Sequence, residues 1–103
     1  MKRVTLRDIY EAREAIRGVA CRTLLVPAPR LSAPGREIFL KLETTQPVGA
    51  FKIRGAANAL ARLGAEARRR GVVCASTGNH GRAVAFAARR LGVPACVCMS
   101  RLV

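Results

Sequence analysis

Two short stretches hold the residues best suited to chemistry. The first is Ser76-Thr77-Gly78-Asn79-His80-Gly81. It lies between an apolar run, Val72-Val73-Cys74-Ala75, and a helical stripe of Val84, Ala87, Ala88 and Leu91. A turn from strand to helix leaves backbone N–H groups free at the helix start, and these attract anions. Gly78 and Gly81 permit close backbone approach. Ser76, Thr77 and Asn79 add hydrogen-bonding groups, and His80 adds a titratable one. The pattern suits a carboxylate or a phosphate. The plainer reading is an ordinary helix start with Thr77 or Asn79 as its N-cap. No Gly-x-x-x-x-Gly-Lys-Ser/Thr pattern occurs, so this is not a P-loop.

The second stretch centres on Lys52. It stands between Phe51 and Ile53, after a Gly-containing loop, at the start of an apolar helical pattern. A helix N-terminus disfavours a positive charge, and desolvation would disfavour it further. Both effects enrich the neutral amine that Schiff-base chemistry uses. On these grounds alone a surface lysine with a snorkelling stem is the commoner outcome.

The cysteines are Cys21, Cys74, Cys96 and Cys98, with no C-x-x-C pair. Cys96 and Cys98 share one face if they lie in a strand. They read as small buried hydrophobes. A thiolate site with His80 lacks the usual ligand spacing, so no metal is expected.

The elements that must position these groups are legible in the pattern. Thr5 and Asp8 fit a capping box with Asp for Glu, ahead of Ile9, Ala12, Ile16 and Val19 at helical spacing. Arg7 and Glu11 form an i,i+4 pair, and Gly18 is a candidate stop. Residues 23–36 hold Pro27, Pro29, Pro34 and Gly35 and read as a connection. Glu37 to Glu43 alternates and reads as a strand, and Thr44 to Ala50 as a loop. A helix follows from Lys52, with Gly64 as a candidate stop. Arg68-Arg69-Arg70 reads as a solvated helix end. Residues 71–99 then form one strand–turn–helix–strand unit with short, buried, parallel strands.

Composition sets the class. The chain has 103 residues, half of them hydrophobic, and a formal charge of +13. That excludes a disordered basic tail. No apolar run is long enough to cross a bilayer, and Met1-Lys2-Arg3 leads into no apolar stretch, so the expected location is the cytoplasm. After Glu43 only Glu66 is acidic, against ten Lys and Arg. Such an excess suggests an anionic partner. The few scattered aromatics, Tyr10, Phe39, Phe51 and Phe86, argue against a single-strand nucleic-acid platform.

Both chemical stretches also carry a resemblance. Lys41-Leu42-Glu43-Thr44-Thr45-Gln46-Pro47-Val48-Gly49-Ala50-Phe51-Lys52-Ile53-Arg54-Gly55-Ala56 resembles the cofactor-lysine segment of fold-type II pyridoxal-phosphate enzymes. Within them it is similar to the serine/threonine dehydratase group, and Ser76 to Gly81 resembles that group's second signature loop. The wording is closest to the hydroxyectoine-utilisation dehydratases. Order and spacing agree, and the resemblance runs across nearly the whole chain.

The resemblance implies an α/β, tryptophan synthase β-like fold, with an incomplete parallel sheet and flanking helices. It places residues 1–51 with the large cofactor domain and 52–103 with the start of the small domain. It implies pyridoxal 5'-phosphate bound covalently at Lys52, which is also the expected proton-transfer base. Phe51 would wall the cofactor, and Asn79 would bind its ring hydroxyl. Ser76, Thr77, Gly78 and His80 would hold the substrate carboxylate. The implied reaction eliminates the β-hydroxyl of a β-hydroxy amino acid such as threonine or serine as water, and hydrolysis of the resulting enamine takes up water and leaves a 2-oxo acid and ammonia. The full-length relative is expected to be a homo-oligomer, without a membrane or a specific nucleic-acid partner.

There are departures. Ala50 replaces a frequent Ser before Phe-Lys, and Gly81-Arg82 replaces a frequent Ala-Gln. Leu24 stands where Pro often follows the early threonine. No Gly-rich phosphate cradle appears before Val103, so the expectation is an N-terminal portion that alone neither binds the cofactor tightly nor turns over. A basic interaction module and a non-functional remnant are the alternatives.

Overall fold

The structure is a computed structural model and describes residues 3–102. Met1, Lys2 and Val103, which entered the reading of the two chain ends, lie outside the described residues.

Helix α1 (Leu6–Ala15) starts at the expected capping box. Asp8 N donates to Thr5 Oγ1 at 3.2 Å, and Thr5 N donates to Asp8 Oδ2 at 2.8 Å. Arg7 Nε donates to Glu11 Oε1 at 2.8 Å. The helix ends before the stripe does. Ile16 is its C-cap, the chain turns through Gly18 (φ +79°), and this turn, not the helix, buries Val19.

The stretch 23–36 is more than a connection. Strand β1 (Leu25–Pro27) pairs antiparallel with β2 (Phe39–Lys41), Leu25 opposite Lys41 and Pro27 opposite Phe39. Pro27 is tolerated because a two-stranded ribbon leaves an outer edge that needs no donor. A 3-10 turn at Pro29–Leu31 follows β1, and a second at Glu43–Thr45 follows β2.

Helix α2 (Lys52–Ala61) buries Ile53, Ala56, Ala57 and Leu60, with Ile53 and Ala57 fully enclosed. Gly64 does not stop it. The helix ends at Ala61, and Gly64 is the N-cap of α3 (Ala65–Arg70). The Arg run closes α3 as expected, but Arg68 is not merely solvated. Its guanidinium donates to Leu91 O at 3.2 Å, tying α3 to the end of the next helix.

Strand β3 (Val72–Ala75), helix α4 (Asn79–Leu91) and strand β4 (Ala95–Cys98) form the expected unit. The strands are parallel, with Val73 opposite Cys96 and Ala75 opposite Cys98. Gly92 ends α4 in the left-handed conformation (φ +65°), as its position predicts. Helices α2 and α4 pack through small residues, Ala56 and Ala57 against Ala83, Ala87 and Ala88, which lets the two backbones approach. Val19, Val48 and Val93 complete the same cluster.

The expected strand burial holds for one face only. Val72 and Cys74 pack toward the core, but Val73 is 74% exposed. Cys96 and Cys98 stand on the Val73 face and are exposed, as is Cys21. The reading of buried cysteines is therefore corrected for Cys21, Cys96 and Cys98: among the described residues α4 packs on the Val72–Cys74 face, and the opposite face is exposed. The radius of gyration, 16.5 Å, exceeds the ~13 Å of a compact domain of this length, in keeping with that open face.

Candidate functional site

Lys52 is the first residue of α2. Residues 53, 56, 57 and 60 face the core, so 52, 55 and 59 fall on the opposite, exposed stripe. Lys52 Nζ lies 5.6 Å from the centroid of the Phe51 ring, which is 61% exposed. The desolvation suggested for Lys52 is therefore not supplied within these residues. One turn on, a Cβ added at Gly55 would meet nothing within 4 Å. The amine thus stands at an open surface, with an aromatic ring on one side and a glycine on the next turn.

The loop before α4 is organised by Ser76. Its Oγ accepts hydrogen bonds from Gly81 N at 2.9 Å and from Gly78 N at 3.2 Å. Gly78 is the N-cap and makes no side-chain cap. Thr77 and Asn79 therefore do not cap the helix. Ser76 does so from outside it, because the strand end aims its hydroxyl across the first turn. The helix begins at Asn79, which leaves the N–H groups of Asn79 and His80 without a preceding carbonyl. The side chains of Thr77, Asn79 and His80 are exposed and make no hydrogen bond among the described residues. Gly81 has no room for a side chain, since a Cβ there would sit 2.9 Å from Val97 Cγ1 and 3.2 Å from Ser76 O.

The structure thus gathers Ser76, Gly78 and Gly81 into one turn and sets Phe51 beside Lys52. The packing of α2 on α4 links the two groups. No hydrogen bond runs directly from Lys52 to the loop among the described residues.

A third cluster escaped the sequence reading. Glu43 accepts from Arg54 Nε at 2.9 Å, Arg54 Nη2 at 2.7 Å, Thr23 Oγ1 at 2.5 Å and Gln46 Nε2 at 3.2 Å. Gln46, 4% exposed, also bonds both backbone groups of Cys21, accepting at 2.9 Å and donating at 2.8 Å. Lys41 Nζ donates to Thr23 O at 2.6 Å. Arg54, helped by the Thr23 and Gln46 donors, holds the Glu43 carboxyl down at about 2, against an opposing push from burial. Glu43 in turn raises the Arg54 pKa. The cluster fixes the chain just ahead of Lys52. Its members are ordinary polar residues at irregular spacing, so periodicity carries no signal for it.

Elsewhere, the Cys98 thiol is pushed up, first by charge on neighbouring Cys96. Among the described residues no group of three or more His, Cys, Asp or Glu is placed to hold a metal. No helix there is long and apolar enough to cross a membrane.

Comparison with known proteins adds an independent line. The family model described as pyridoxal-phosphate dependent enzyme matches residues 16–103. The chain is 50% identical over 99 residues to an L-threonine ammonia-lyase of Thermotoga maritima, covering 95% of this chain and 25% of that protein. It is 41% identical over 100 residues to an L-threo-3-hydroxyaspartate ammonia-lyase of a Pseudomonas species, covering 96% and 31%. Its fold superposes on maize serine racemase with a TM-score of 0.85 at 40% identity, covering 93% and 30%. The chain thus spans about a quarter to a third of the length of the relatives it matches.

Proposed function

The chain belongs to the pyridoxal-phosphate dependent enzyme family, and from that premise we propose that it contributes the cofactor-lysine and substrate-carboxylate parts of an ammonia-lyase. What supports the reading is that α2 begins with an exposed amine, Lys52, while α4, the helix packed on it, begins with a loop whose Thr77, Asn79 and His80 side chains are exposed. The activity proposed for the whole protein is dehydration and deamination of a β-hydroxy amino acid such as threonine or serine. The products are a 2-oxo acid and ammonia. The narrower kinship with hydroxyectoine-utilisation dehydratases belongs to the same proposal. So do a cytoplasmic location, a homo-oligomeric whole protein and a division between residues 51 and 52.

The residues present fit the cofactor. Lys52 offers an accessible amine, Phe51 an aromatic wall, and Gly55 leaves the adjacent surface clear. Bound there, pyridoxal phosphate supplies an electron-accepting ring. Lys52 would hold the cofactor through its amine and would serve as the base for the proton at the substrate Cα. Asn79, whose exposed amide has no partner among the described residues, would hold the cofactor's ring hydroxyl. Ser76 already accepts two N–H bonds, so its own O–H is left to donate to the substrate carboxylate. Thr77 and His80 supply further donors to that carboxylate. Gly78 contributes close approach, because its N–H is engaged by Ser76.

The test is covalent capture. The chain is incubated with pyridoxal phosphate, reduced with borohydride and mapped by mass spectrometry. Label is expected at Lys52 in preference to Lys41. Equal labelling of the two lysines would overturn the assignment.

A further inference from the structure

Apart from the loop before α4, a cavity of about 650 Å³ opens beside the C-terminal end of α1. It shares no lining residue with the 76–81 loop. Five cations line it, Arg13, Arg17, Arg22, Lys41 and Arg54, and no acidic or aromatic residue does. Two of these charges are met nearby: Arg17 pairs with Glu14 at 2.6 Å, and Arg54 with Glu43 at 2.7 Å. Lys41 donates to the neutral Thr23 carbonyl and pairs with no carboxylate among the described residues. Arg13 and Arg22 have no hydrogen-bond or ion-pair partner among the described residues.

Three uncompensated positive charges therefore converge on one concavity. Such convergence is unfavourable when empty, and low-dielectric walls focus its field outward. A small anion relieves the repulsion, and the planar guanidinium forks of Arg13 and Arg22 match phosphate and carboxylate oxygens. The volume is in the range of small-molecule sites, roughly 300–1,000 Å³. We propose that this cavity is a binding site for a compact, multiply charged organic anion, a phosphate ester or a polycarboxylate, separate from the site at Lys52. The run Arg68–Arg70 is different in kind: Arg68 is tied to Leu91 O, Arg70 lies 3.8 Å from Glu66, and none of the three lines this cavity.

The experiment titrates the purified chain with inorganic pyrophosphate and, separately, with citrate, followed by amide and arginine Nε resonances. Saturable shifts are expected at residues 13–22 and Arg54. Whichever anion binds more tightly assigns the source, phosphate or carboxylate. The double variant R13A/R22A is expected to bind about tenfold or more weakly, whereas R69A/R70A binds as the parent does. Both arginines are unpaired, so their removal breaks no internal bond. As a second readout on the unaltered chain, pyrophosphate is expected to protect Arg13 and Arg22 from phenylglyoxal. Equal weakening in R69A/R70A, or no protection, would overturn the proposal. So would duplex DNA that displaces pyrophosphate and binds R13A/R22A undiminished, since this would mark a diffuse nucleic-acid surface.

Discussion

Arg54 grips Glu43 with two hydrogen bonds across eleven residues of chain, Nε to Oε2 at 2.9 Å and Nη2 to Oε1 at 2.7 Å. One partner lies two residues beyond Lys52, and the other lies in the 3-10 turn after β2. The pair therefore anchors the first turn of the lysine helix to the β-ribbon.

Breaking this pair should loosen the chain. Glu43→Ala is expected to lower stability by about 1–3 kcal/mol, because it strands the Arg54, Thr23 and Gln46 donors. Arg54→Lys should recover little of the Arg54→Ala loss, since an ammonium cannot reproduce the fork. Urea unfolding of the variants measures both.

The same carboxyl makes stability pH-dependent. Glu43 sits at about 2 in the folded chain against an ordinary 4.5. Its contribution is full above pH 4.5 and is lost as pH falls from there toward 2. The parent should lose on the order of 2–3 kcal/mol across that window from this group. Glu43→Gln should lose less when both are unfolded at pH 6 and pH 3.

The two glycines beside the proposed site should respond oppositely to alanine. At Gly81 the new methyl meets Val97 and Ser76 at 2.9–3.2 Å, and stability is expected to drop by about 1–3 kcal/mol. At Gly55 the methyl enters open space, and the better helix former should add about 0.5–1 kcal/mol. Thermal unfolding of both variants checks the sign.

Ser76→Ala removes the acceptor for two loop N–H groups and should cost about 1 kcal/mol. Thr77→Ala and Asn79→Ala should cost little, as neither side chain bonds within the fold. Hydrogen exchange at Gly81 should accelerate in Ser76→Ala alone.

Cys98 ionises above its ordinary value chiefly because of Cys96. Replacing Cys96 with Ala should bring it back down. Alkylation of Cys98 by iodoacetamide at pH 8 should therefore be faster in Cys96→Ala. An unchanged rate would contradict the assigned cause.

The residues on their own determined the local elements. The capping box, the apolar stripe of α2 and the strand–helix–strand unit follow from period and punctuation, which act between near neighbours. The turn at 76–81 was legible for the same reason: glycines and polar residues interrupt the apolar strand and mark the start of the helix. Tertiary structure decided what depends on distant partners. It paired Leu25–Pro27 with Phe39–Lys41, although prolines concealed the strand. It gave the helix cap to Ser76 and left Cys96 and Cys98 exposed, because among the described residues α4 packs on the opposite sheet face. It joined Glu43 to Arg54 and drew Arg13, Arg22 and Lys41 around one cavity. Charges so far apart in the chain carry no shared period, so only folding could bring them to a common place.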